Sequence, residues 1–172
     1  LFQGIQGDDY FQRAVYLGLT PVGEDTNPLL DLFAFAGDRD RLAHLIDLGF
    51  YPWWTHPELE IRFFRPLTAV TGMADHALWP DTPWLHHAHN LVWFALAVFV
   101  VARLYRRVHG PVAVAGLAAL LFAVEDAHPM PAAWPADRTP PIALALGALA
   151  ALAHGRRRAA GRPPHPAAAL AA

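Results

Sequence analysis

The sequence predicts an all-α fold of polytopic membrane helices, with amphipathic interfacial helices in a large extracytoplasmic loop. Three observations carry that expectation. Apolar residues make up 55% of the 172 and charged residues only 16%, against roughly 25% charged in soluble domains. Charge is also segregated: residues 1–89 hold twelve carboxylates and five arginines, whereas residues 90–172 hold three carboxylates and eight arginines, a contrast that points to two environments. Three apolar helical stretches in the second half are followed by segments that are Arg-rich, Arg-poor and Arg-rich in turn. The positive-inside rule gives that alternation for consecutive crossings.

The chain has no Cys, which excludes disulfides and thiolate metal sites. Its basic residues are all Arg, and no nucleic-acid partner is expected. The first residue is Leu1, with no charged n-region or cleavage site behind it. Leu1-Phe2-Gln3-Gly4 is equally readable as a protease-tag scar or as native sequence, and the chain reads as a fragment of a longer one.

In chain order, Gly7-Asp8-Asp9-Tyr10-Phe11-Gln12-Arg13 comes first. Its adjacent carboxylates fit a helix N-terminus, where acids complement the dipole. They equally fit a general base or metal ligand, since neighbouring carboxylates raise each other's pKa. Between Asn27 and Phe50 the spacing of Leu42, Leu45, Ile46, Gly49 and Phe50 gives one face of a helix, either packed in a core or lying along a membrane surface. Tyr51-Pro52-Trp53-Trp54 suits a membrane–water interface or a soluble core. Arg65 precedes a helical pattern of Leu67, Val70, Ala74, Ala77 and Leu78. It is either a solvated side chain or a fork of donors to a phosphate or carboxylate.

Asp81-Thr82-Pro83 supplies a cap followed by a first-turn proline. The helix it opens passes through Trp84-Leu85-His86-His87-Ala88-His89-Asn90, turns apolar, and stops at Gly110-Pro111. His86, His87 and His89 do not share one helix face, so no metal site is predicted from them. Val112–Val124 and Ile142–Ala153 are apolar all round but short, and by length alone they also fit buried core helices. The expected organisation is a loop over 1–82, three transmembrane helices at about 83–108, 112–127 and 139–154, and a Pro/Ala-rich cytoplasmic segment over 159–172. Residues 1–82 and 125–138 would then be non-cytoplasmic. The competing reading is a soluble, Ala-rich helical domain.

Three pieces occur in a family order: Asp8-Asp9-Tyr10-Phe11; Phe64-Arg65-Pro66-Leu67 before the His-rich helix; and Leu121-Phe122-Ala123-Val124 followed by Asp126-Ala127-His128-Pro129 and Asp137-Arg138. This order resembles the N-terminal membrane half of the GT-C glycosyltransferases, in particular protein O-mannosyltransferase-like proteins and their relatives with tetratricopeptide repeats. It departs from them in having Pro131-Ala132-Ala133 where relatives often carry a Glu. The resemblance implies a bacterial inner-membrane enzyme that transfers sugar from a polyprenyl-phosphate donor to a hydroxyl of an acceptor protein or glycan. It implies Asp8 or Asp9 as the catalytic carboxylate, Arg65 and Arg138 as holders of the donor phosphate or the acidic pair, and His128 either as an orienter of the acceptor or as a helix cap. Membrane lipid would be a partner, and a non-catalytic polytopic scaffold of the same architecture is the alternative.

Overall fold

The computed structural model describes residues 7–19, 27–37 and 39–161. The readings placed on residues 1–4 and on the tail beyond Gly161, Arg162 included, lie outside them. The chain divides into two units, Leu1–Leu85 and His86–Ala172.

The first unit contains α1 (Asp8–Tyr16), β1 (Ala34–Ala36), α2 (Arg39–Asp47), β2 (Ile61–Arg62) and α3 (Pro66–Leu78). β1 and β2 form a two-stranded antiparallel ribbon with Ala34 opposite Arg62 and Ala36 opposite Ile61. Val15, Leu32, Phe33 and Ala69 make the core, with Phe11, Tyr16 and Phe35 packed around it. α2 buries Leu42 and Leu45 from its apolar face, while Phe50 is left 68% exposed. α3 reverses the expected orientation. Its buried residues are Thr68, Ala69 and Asp75, while Leu67, Val70 and Leu78 from the apolar periodicity face outward.

The second unit comprises α4 (Pro83–His109), α5 (Val112–Ala123), α6 (Pro129–Ala133), a 3-10 turn (Pro135–Asp137) and α7 (Thr139–Ala159). Val100 and Val101 of α4 pack on Ala148 and Leu152 of α7, with Leu104, Tyr105 and Phe122 at the margin. The other buried apolar positions of these helices are largely alanines, at 97, 115, 119 and 145. The larger apolar residues, Leu96, Phe99, Leu117 and Leu149 among them, stay outside.

Among the described residues no helix is long and apolar enough to cross a membrane. This overturns the polytopic fold class, the integral-membrane localisation and the assignment of sides to residues 1–82 and 125–138; the all-α expectation survives in the predominance of helix. The physical reason is the length of the apolar runs. A crossing needs about 20 consecutive apolar residues to match a hydrocarbon core of about 30 Å. α4 has 27 residues, but His86, His87, His89 and Asn90 interrupt one end and Arg103, Arg106 and Arg107 the other. α5 has only 12, about 18 Å of helix. α7 has 21 but opens on two prolines and closes on three arginines. His128-Pro129 does not mark the exit of a long helix, because α5 ends at Ala123 and His128 stands at the N-terminal boundary of the separate α6, without a side-chain capping bond.

Gly72 marks the close approach of α1 to α3. A Cβ on it would overlap the hydroxyl of Tyr16 and reach Cζ at 3.0 Å; that hydroxyl donates to the Ala69 carbonyl at 3.4 Å. Alanine gains about 1 kcal/mol over glycine in an open helix. Gly72→Ala is expected instead to destabilise the first unit by about 1–3 kcal/mol through overpacking. Urea denaturation checks the loss, and adding Tyr16→Phe should recover part of it by removing the most overlapped atom.

Candidate functional site

In the first unit, α1, β1 and α2 with the turn after it enclose a cavity of ≈ 230 Å³ lined by Asp8, Phe11, Phe35, Arg41, Leu45, Phe50 and Tyr51. Local structure explains how these residues meet. Asp8 and Phe11 are three apart on α1 and therefore share a face; so do Arg41 and Leu45, four apart on α2. Phe35 is the middle residue of β1, and its side chain points opposite to the buried Ala34 and Ala36. The Tyr51 hydroxyl donates to the Phe35 carbonyl at 3.3 Å, which ties the turn after α2 to the ribbon. The Phe11 and Phe35 rings lie with centroids 6.4 Å apart. The result is an aromatic wall with one carboxylate and one guanidinium in it.

The side chains of the acidic pair diverge. Successive helix residues diverge by about 100°, so Asp8 stays exposed and lines the cavity while Asp9 turns inward and is buried. Arg65 precedes α3, its guanidinium 4.5 Å from the Phe63 ring centroid and 5.1 Å from that of Phe33. It is held by cation–π contacts. Sequence reasoning missed Arg41 as a pocket residue and missed the burial of Asp75. The signal for the latter was Thr68, Gly72 and Asp75 recurring at i, i+4 and i+7 on one face of α3.

In the second unit, Arg138 is buried. Its Nε donates to Asn90 Oδ1 at 3.4 Å and one terminal nitrogen donates to the His86 carbonyl at 3.2 Å. Its other terminal nitrogen lies 3.4 Å from His89 Nδ1, while Trp93 Nε1 donates to His89 Nε2 at 3.1 Å. A neutral imidazole accepts at only one nitrogen, so the shorter Trp93 contact is the hydrogen bond. Asn90 Nδ2 donates to the carbonyls of Pro131, Ala132 and Trp134 at 2.7, 3.0 and 3.3 Å. His87 Nδ1 donates to the Ala133 carbonyl at 2.7 Å. The legible signal was the polar stripe His86, His89, Asn90 and Trp93, at i, i+3, i+4 and i+7 on α4. His128 lies between the rings of Phe122 and Phe94, at 4.5 and 5.4 Å; its Nδ1 is buried without a hydrogen-bond partner. Glu125 and Asp126 are exposed.

Asp8, Asp9 and Arg65 therefore belong to the first unit, and His128 and Arg138 to the second. Among the described residues no three His, Asp or Glu side chains converge in the manner of a metal site.

No protein-family model matches the chain, and no curated protein or solved structure is significantly similar to it. With no family match and, among the described residues, no helix long and apolar enough to cross a membrane, the resemblance to the GT-C glycosyltransferases does not hold. The lipid-linked sugar transferase reading falls with it, because such a site is assembled at the membrane edge by crossing helices. The polytopic scaffold falls for the same reason.

Asn90→Asp keeps the shape of the side chain but turns an acceptor toward three carbonyls. A loss of about 2–4 kcal/mol is expected in chemical denaturation, the cost of leaving buried polar groups unpaired. His128→Leu should do the opposite. Replacing an unpaired buried ring nitrogen between two Phe rings by an apolar side chain should leave the melting temperature of the second unit unchanged or raise it.

Proposed function

We propose that the first unit is a small-molecule-binding module whose pocket takes a compact apolar amine, with a carboxylate as the favoured second group. The observation that carries this reading is the cavity walled by Phe11, Phe35, Leu45, Phe50 and Tyr51, with Asp8 and Arg41 as its charged groups. A mostly apolar concavity with a few convergent polar groups is where small ligands bind. Its size, ≈ 230 Å³, is below the usual range of roughly 300–1,000 Å³, which limits the ligand to a single small molecule. An ammonium group gains from the Asp8 carboxylate and from the faces of nearby aromatic rings. The planar fork of Arg41 suits a carboxylate. Binding rather than turnover is the activity this arrangement supports, because the second carboxylate that would serve as a partner in proton transfer is turned away from the cavity.

Nitrogen–proton correlation spectra of the full chain, titrated with phenylalanine, phenethylamine and phenethyl alcohol, test the reading. Affinity is expected to fall in that order, with shifts concentrated on residues 8–11, 35, 41–45 and 50–51. Asp8→Asn should weaken both amines by about three- to tenfold and leave the alcohol unchanged, in line with one partly solvated charge-assisted contact. Equal affinity for all three compounds, or shifts centred elsewhere, would exclude it.

A further inference from the structure

Four arginines from two helices meet at one cavity in the second unit. Arg103, Arg106 and Arg107 of α4 and Arg156 of α7 line a concavity of ≈ 300 Å³, with Leu152 as its apolar part. Positions 103, 106 and 107 are i, i+3 and i+4, so they project from one face of α4. All four side chains are exposed; among the described residues none of them lies in an ion pair and no carboxylate lines the cavity.

The plain explanation is that cations favour helix C-termini, where the dipole is negative. It accounts for arginines near the end of each helix taken singly. It does not account for four of them around one concavity, where like charges repel and the local potential is raised. Two of the guanidiniums lie against the helices themselves. Arg107 runs along α7 at Gly155, where a Cβ would lie 3.1 Å from its Nε and 3.4 Å from its Cζ. Arg103 has its guanidinium 5.9 Å from the Phe99 ring centroid, within cation–π range.

We infer that this cavity binds a phosphate-bearing anion. Planar guanidinium forks match phosphate oxygens two at a time, and several forks around one concavity favour a group with multiple negative charges, a diphosphate above a single phosphate. Binding would relieve the repulsion among the four arginines, so the site is more favourable occupied than empty. The shared chemistry is the phosphate group, carried either by a free small molecule or by a lipid headgroup.

Calorimetric titration of the full chain with inorganic pyrophosphate, inorganic phosphate and sulfate tests it, alongside sedimentation with vesicles of phosphatidylcholine and phosphatidic acid. Pyrophosphate should bind more tightly than phosphate or sulfate. Arg107→Gln and Arg156→Gln should each weaken it roughly tenfold, as expected for one strong charge-assisted contact. Arg158→Gln removes the same charge from α7 outside the cavity and should change affinity by less than about twofold in physiological salt. Binding to the vesicles but not to pyrophosphate, lost in Arg107→Gln and kept in Arg158→Gln, would assign the same cavity to a lipid headgroup. Equal losses in Arg107→Gln and Arg158→Gln would reduce the effect to net charge and overturn the proposal. So would the absence of binding to any of these probes.

Discussion

Asn90 is the point on which the second unit depends. The turn between α5 and α7 carries prolines at 129, 131 and 135, each lacking an N–H, so its own backbone satisfies only some of its carbonyls, those of His128, Met130 and Trp134 among them. The missing donors come from α4. One buried amide covers the carbonyls of Pro131, Ala132 and Trp134, and His87 covers that of Ala133. Two N–H groups serve three acceptors, which requires a shared bond of the kind common at helix ends. Its remaining atom, Oδ1, takes the Nε proton of Arg138. A side chain that is fully buried thus fastens the turn and fixes the residue from which α7 departs. Buried polar networks of this kind specify one arrangement because an alternative leaves several groups unsatisfied together.

Packing elsewhere in this unit follows from small side chains. Alanines at 97, 115, 119, 145 and 148 are buried while leucines at 117, 120, 121, 146 and 149 are exposed. Burial of alanine removes little apolar area, and hydrophobic stabilisation is about 25 cal/mol per Å². The polar node at Asn90 therefore carries a larger share of the cohesion than such a node would in a leucine-rich core. The first unit differs. There Val15, Leu32 and Phe33 supply a conventional core, and polarity enters through α3, whose inward face carries Thr68 and Asp75.

These two features explain what was legible in the sequence. Helix positions were: Pro83, the Gly110-Pro111 stop and the Pro-rich turn delimit α4, α5 and α7 through backbone chemistry that needs no tertiary knowledge. Helix orientation was not. The apolar period Leu67, Val70, Ala74, Ala77 and Leu78 marks a face of α3, but periodicity identifies a face without saying what lies against it, and this one faces outward. Hydropathy likewise could not separate a 12-residue apolar helix from a crossing. Of the candidate residues, Asp8 reaches a cavity because Phe35, and Phe50 with Tyr51, are brought to it and its helix neighbour Phe11 by two distant segments, a convergence that no local spacing records. Arg138 was picked out by its place in a polar turn, whereas its partners lie on a helical stripe, His86, His89, Asn90 and Trp93, of which only the histidines were considered, together with His87, as metal ligands.

The arginine pattern shows how one observation supports different physics once geometry is known. Arg103, Arg106 and Arg107, then a turn poor in Arg, then Arg156, Arg157 and Arg158 read along the chain as alternation between two sides. In the fold α4 and α7 bring their C-terminal ends to one cavity, so two arginine-rich segments separated by about fifty positions are a single electrostatic feature. The Arg-poor turn has its own local cause: its single arginine, Arg138, is consumed inside the protein by Asn90 and the His86 carbonyl. What looked like a rule about membrane sides is the sum of a buried structural cation at one end of the helices and a solvent-facing cationic concavity at the other. The two roles require opposite surroundings. A guanidinium ringed by acceptors is a fixed part of the fold, while guanidiniums that face one another without acceptors are held in readiness for an anion.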